Sequence, residues 1–184
     1  MRYRSIAIVL FFLLRPLPAA AATTRPVDQW ADAVLALALH RSAVVRAMVN
    51  DLDDSKVIVH IESSRLLPIG VGGITRFVTS QGGYRYVRIT LSVWLPPSDR
   101  IAILGHELQH AVELARSGVT DREGVRRLLQ AEGYTVRGED FYETRAALLV
   151  EREIRGELRR PEALPDKHRI PTRSASRQAA LPDK

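Results

Sequence analysis

The chain has 184 residues, of which 46% are hydrophobic and none is cysteine, so disulfides and thiolate metal sites are excluded. Its formal net charge of +6 would suit a nucleic-acid binder, but three arginines and no acid in residues 1–22, with seven basic against three acidic residues in 159–184, account for +7. Residues 23–158 are left at −1, which removes nucleic acid as a partner.

Arg2 and Arg4, an apolar run over residues 5–14 and small residues over 19–22 follow the order of an export signal, with a mature chain expected to begin near Thr23. The apolar run is short of the roughly 20 residues that span a bilayer, and Pro16 and Pro18 follow it. No stable membrane insertion is therefore expected after removal of the signal, a retained anchor being the alternative. Residues 23–160 suffice for a single domain with one core, expected to be a monomer.

Asp28 can cap a helix running to about Asn50, whose apolar residues Trp30, Val34, Leu35, Leu37, Leu39, Val44, Val45 and Met48 predict burial on most sides. Residues 56–61 are rich in β-branched side chains and read as a strand. Pro68, Gly70, Gly72 and Gly73 break the chain before a second strand over 74–79. Gln81, Gly82 and Gly83 then form a hairpin turn into a third strand over 84–94, with Val87, Ile89, Leu91 and Val93 on one face. After Pro96 and Pro97, Ser98 and Asp99 start a helix over 100–116 that Gly118 ends. Thr120 and Glu123 have capping-box spacing for a short helix to about Ala131. A last helix over 139–160 carries Glu143, Ala146, Ala147, Val150, Ile154 and Leu158 on one stripe. Residues 161–184 are polar, basic and without periodicity, and read as a disordered tail.

Within the helix expected over 100–116 stands His106-Glu107-Leu108-Gln109-His110. At about 3.6 residues per turn, His106 and His110 stack on one helix face, where both imidazoles reach a single ion. Glu107 lies roughly 100° around the helix, where its carboxylate can activate water instead of ligating. Given five His and eleven Glu in the chain, shuffling produces this pattern about once in a hundred trials. The position of the pattern on a stripe with Ala102, Ile103 and Leu114 adds weight, because it turns the imidazoles inward. A pair of hydrogen-bonded histidines without metal is the alternative.

A catalytic zinc takes three protein ligands and leaves a position for water. Glu113 lies about 10 Å along the axis from His106, too far for it and both histidines to converge, so a supporting or surface role suits it better. Glu143 fits better, because a carboxylate on an apolar stripe beside Phe141 and Tyr142 is costly to bury unless it meets a cation. An ion pair with an arginine is its alternative. His40 and His60 are expected to be packing or surface residues, and His168 lies in the tail.

The run Gly105-His106-Glu107-Leu108-Gln109-His110-Ala111, followed by Phe141-Tyr142-Glu143-Thr144-Arg145-Ala146-Ala147, resembles the gluzincin class of zinc metallopeptidases, and more narrowly small exported bacterial proteins of uncharacterised substrate. The resemblance covers about residues 56–155. It implies that His106, His110 and Glu143 ligate Zn2+ and that Glu107 is the general base. It also implies an α+β domain in which a small twisted sheet of three or slightly more strands packs on the N-terminal and metal-binding helices, with a C-terminal helix supplying the third ligand. Members of the class often carry an acid four residues after the ligand Glu to orient a metal histidine; this chain has Ala147 there, so that duty must pass elsewhere or be missing.

The activity expected from this resemblance is hydrolysis of peptide bonds in the periplasm or outside the cell, with Glu107 taking a proton from zinc-activated water and passing it to the leaving amine. Tyr142 is the candidate oxyanion partner, with Tyr134 beside it and ordinary packing as the alternative for each. Gly70 to Gly73 would let a substrate backbone approach a strand edge. A zinc-stabilised envelope module that binds without catalysing is the second reading.

Overall fold

A computed structural model describes residues 22–135 and 142–160. The expected signal and the expected basic tail, with His168, lie outside the described residues, as do residues 136–141. Among the described residues no helix is long and apolar enough to cross a membrane.

The elements run β1 (Thr24–Pro26), α1 (Gln29–Arg41), α2 (Ala43–Asp53), β2 (Val57–Ser64), β3 (Gly73–Gln81), β4 (Tyr84–Ser92), α3 (Pro97–Ser117), α4 (Arg122–Glu132), β5 (Gly133–Thr135), β6 (Tyr142–Thr144) and α5 (Arg145–Arg159). The class is α+β. Four strands form a mixed sheet in the order β1-β2-β4-β3. β1 and β4 flank β2 in parallel, whereas β3 pairs antiparallel with β4 at the edge. Period-two alternation decides which face is buried: Val57, Val59 and Ile61 of β2 join Val87, Ile89 and Leu91 of β4 in the core. His60, Glu62, Tyr86 and Arg88 alternate with them and are only partly buried or exposed. The inner face meets α1, α2 and α3, while α5 packs on α3 and α2, so that Val34, Leu52, Leu104, Leu108 and Ile154 join the sheet residues in one continuous core.

Several expectations from sequence are corrected. The first helix is two helices, because Ser42 is extended backbone that ends α1 and caps α2, accepting from Val45 N at 3.1 Å. Its hydroxyl donates to Glu157 of α5, and Glu157 also accepts from the Ala43 and Val44 amides. Burial on α1 is confined to Ala31, Val34, Leu35 and Ala38, while Leu37 is exposed. β1 was not foreseen and makes the sheet four-stranded. β4 ends at Ser92, short of Trp94, which is exposed. α3 starts at Pro97 behind Pro96 without a side-chain cap, so neither Ser98 nor Asp99 fills that place. Asp121, not Thr120, caps α4, through Gly124 N at 2.7 Å.

The largest correction concerns the last helix, which begins at Arg145 with Thr144 as its cap. Glu143 therefore stands on a strand, and Ala146 is exposed instead of sharing the buried stripe of Ala147 and Ile154. The third candidate ligand comes from the strand that leads into the helix, not from the helix itself. β6 pairs antiparallel with β5, Tyr134 opposite Glu143, and this cross-strand pairing overrides the helical periodicity of the segment.

Two contacts fix α3 against its surroundings. At its C-terminal end Gly118 adopts φ 70°, the left-handed conformation that glycine accepts without strain. The buried Arg85 guanidinium from β4 donates there to the carbonyls of Leu114, Ala115 and Val119, satisfying oxygens that a helix end leaves without partners. In mid-helix, Gly105 leaves room for Ile154 of α5: a Cβ at that position would overlap Ile154 Cδ1.

Candidate metal centre

α3 carries His106, Glu107 and His110 where its helical face meets the sheet and α5. One ligand atom each from His106, His110 and Glu143 lie within 4.8 Å of one another, a set that can hold one metal ion. One-turn spacing puts both side chains on one helix face, where the two imidazole rings lie 5.1 Å apart and nearly perpendicular, at 76°. Glu143 Oε1 lies 3.1 Å from His106 Nε2. The three residues are thus brought together from α3 and β6.

Each histidine has a carboxylate on its other nitrogen. His106 Nδ1 lies 3.1 Å from Glu151 Oε2, and His110 Nδ1 lies 3.1 Å from Glu113 Oε2. An Nδ1–H donated to a carboxylate fixes the tautomer and turns Nε2 toward the site, the usual support of a metal-bound imidazole. Glu113 therefore supports the site without joining the candidate ligands. Glu151 was not foreseen from sequence. One helical turn beyond Ala147 on α5, it makes the carboxylate contact to a histidine that the resemblance leads one to expect from an acid at 147. Arg155 holds it, donating to Oε1 from Nε at 3.0 Å and from Nη2 at 2.8 Å, and reaches Asp99 on α3 with its other nitrogen. The detectable signal was spacing: Ala147, Glu151 and Ile154 share a helix face, and an acid on a buried stripe needs a partner.

Glu107 is buried among these groups. Thr75 of β3 donates its hydroxyl to Glu107 Oε2 at 2.7 Å. Gly73, the first residue of β3, lies so close that an added Cβ would come within 2.7 Å of both Glu107 Cγ and Oε1. Burial raises the Glu107 pKa, with the Glu143 charge adding to it, while the charges of His110 and His106 and the Thr75 hydrogen bond pull the other way without cancelling it. For His106, burial disfavours the charged form, but the hydrogen bond to Glu143 and the charges of Glu107, Glu143 and Glu151 outweigh it and push the pKa up to about 9. Glu113 is displaced downward: burial opposes its charge, and hydrogen bonds from His110 and Thr144 overcome that opposition.

The remaining candidates fall elsewhere. His60 stacks on Tyr86 at 6.4 Å on the outer sheet face, and His40 is exposed on α1. Tyr134 stands in β5 opposite Glu143, and Tyr142 in β6 opposite Thr135, but their side chains lie outside what the structure describes. Phe141 is outside the described residues altogether.

The donor set is two neutral-capable imidazoles and one carboxylate, borderline-soft nitrogen with oxygen, which suits Zn2+ among the common divalent ions. No family model, curated protein or solved structure matches this chain.

Proposed function

We propose that the protein is a zinc-dependent hydrolase of the zincin type that cleaves peptide bonds, acting after export from a bacterial cell. The observation that carries this reading is the convergence of His106, His110 and Glu143 within 4.8 Å beside a buried carboxylate, Glu107, that is hydrogen-bonded and not itself in the ligand set. Three ligands with a nearby unligated carboxylate are what metal-assisted hydrolysis requires and what a purely structural four-ligand site lacks.

A Zn2+ ion held by these residues would supply Lewis acidity toward a carbonyl and acidify a water molecule. The chain's own contribution is proton transfer and orientation. Glu107 accepts a proton from water and returns it to the leaving nitrogen, and its raised pKa brings it nearer to the range where one group can do both. Thr75 holds Oε2 and Gly73 leaves room for the other oxygen. Glu151 and Glu113 keep the two imidazoles turned.

Support for a peptide substrate comes from β3. It pairs on one side only among the described residues, and its first residue touches Glu107. An extended polypeptide adding to that outer edge would be bound by main-chain hydrogen bonds and would pass the catalytic carboxylate. Tyr142 is proposed as oxyanion partner because its neighbour in sequence is the third ligand.

The test is Glu107→Gln. It should retain zinc and lose peptide hydrolysis by at least about 100-fold. Retained hydrolysis would remove Glu107 from the chemistry, and wild-type protein that holds zinc but cleaves no member of a peptide library would favour a binding module.

A further inference from the structure

We infer that Glu113 is a positioning residue that sets His110 and Glu143 together, coupling an imidazole on α3 to the strand that delivers the third carboxylate. The inference rests on the metal reading above and concerns how the site is assembled.

Glu143 stands on β6, a strand of three residues that pairs only with β5 among the described residues. Helix geometry fixes His106 and His110 relative to each other, but it says nothing of where β6 lies. A separate tie is needed, and the residue after Glu143 provides it. Thr144 is almost fully buried, and its hydroxyl donates to Glu113 Oε1 at 2.7 Å while accepting from Ala147 N at 3.1 Å. Its amide donates to Glu143 Oε1 at 3.1 Å. The other oxygen of Glu113 meets His110 Nδ1. One carboxylate thus holds the second imidazole with one oxygen and the β6–α5 junction with the other.

A carboxylate suits both partners best. The imidazole N–H and the hydroxyl O–H each donate to a charged oxygen of Glu113; a glutamine at 113 keeps an oxygen for His110 but offers the Thr144 hydroxyl only an NH2, which that hydroxyl takes on its second lone pair while its own proton loses its acceptor. Glu113→Gln keeps the shape, replaces both charge-assisted hydrogen bonds by neutral ones and reverses the one to Thr144. Thr144→Ser keeps the hydroxyl; Thr144→Val removes it along with the helix cap.

The experiment measures Zn2+ affinity by competition with a chromophoric chelator and records the visible absorption of the Co2+ form, using the full chain. Glu113→Gln should weaken zinc binding by about 10–100-fold and alter the Co2+ bands. Thr144→Ser should stay within about threefold of wild type, and Glu113→Gln with Thr144→Val should bind no more weakly than the worse single variant, because the two residues act as one unit. Unchanged affinity and Co2+ bands in Glu113→Gln would overturn the inference while leaving the metal reading intact. Fully additive losses in the double variant would also overturn it. If Thr144→Val fails to fold, Glu113→Gln against Thr144→Ser still decides. Wild-type protein that takes up neither ion would overturn the metal reading, and this coupling with it.

Discussion

Glu151 Oε2 sits 3.1 Å from His106 Nδ1, and this one contact determines which nitrogen of His106 faces Glu143. Replacing Glu151 by Gln keeps the volume but removes the charge that favours an Nδ1–H donor. Zinc affinity is expected to fall by about 10–100-fold, with the fold retained. Arg155→Ala should have a smaller effect in the same direction, since it frees Glu151 without deleting it. Chelator competition on both variants checks the order, and a Glu151→Gln protein with wild-type affinity would show that Glu151 only packs.

Gly73 bears on Glu107 in the same way that Glu151 bears on His106, but through space instead of charge. An alanine Cβ there would stand 2.7 Å from Glu107 Cγ and Oε1, so the carboxylate must move. Gly73→Ala is therefore expected to bind zinc as the wild type does and to lose peptide hydrolysis by about 100-fold, the size of a misplaced catalytic group. Equal losses of metal and activity would mean that the strand, not Glu107, had shifted.

Local chemistry made much of this molecule legible from its residues. The turn at Gly82 and Gly83 has φ of 61° and 80°, which glycine alone adopts freely, and the alternating apolar residues on β2 and β4 fixed the buried face. The His-Glu-Leu-Gln-His run named its own helix, and Gly118 named its end. What escaped was whatever depends on distant partners. Ser42 breaks the first helix because Glu157, 115 residues away, accepts its hydroxyl proton. β1 is three residues with a proline, and only its parallel pairing with Val59, His60 and Ile61 makes it a strand. Glu143 was given to a helix because Ala147 and Ile154 follow it with helical spacing, whereas Tyr134 across the β5–β6 pair claims it for a strand. Glu151 was passed over because a charged residue does not register in an apolar stripe, although it faces His106 from that very stripe.

The crossing of α3 and α5 predicts a rescue. Alanine at 105 would gain up to about 1 kcal/mol in helix propensity, but its Cβ overlaps Ile154 Cδ1, and overpacking costs about 1–3 kcal/mol. Gly105→Ala alone should therefore destabilise. Combining it with Ile154→Val removes the overlapping methyl, and the double variant should be more stable in urea than Gly105→Ala. A double variant less stable than either single one would show that the helices meet elsewhere.

Stability without metal should depend on pH through His106. Its pKa is pushed up to about 9 in the folded chain, against roughly 6.5 when unfolded. A raised folded pKa means that the folded state binds the proton more tightly, so the stabilisation is complete below pH 6.5 and fades as pH climbs through 9. With chelator present, the urea midpoint should fall between those limits, and Glu143→Gln should flatten the fall by removing the hydrogen bond that raises the pKa. Zinc reverses the dependence. The ion needs neutral imidazole, so affinity should rise with pH up to about 9, by at most tenfold per unit from this group. Calorimetry at pH 7 in buffers of different ionisation heat should then register about one proton released per ion bound from His106. Zinc uptake without proton release would place the charged form of His106 out of the metal-free site.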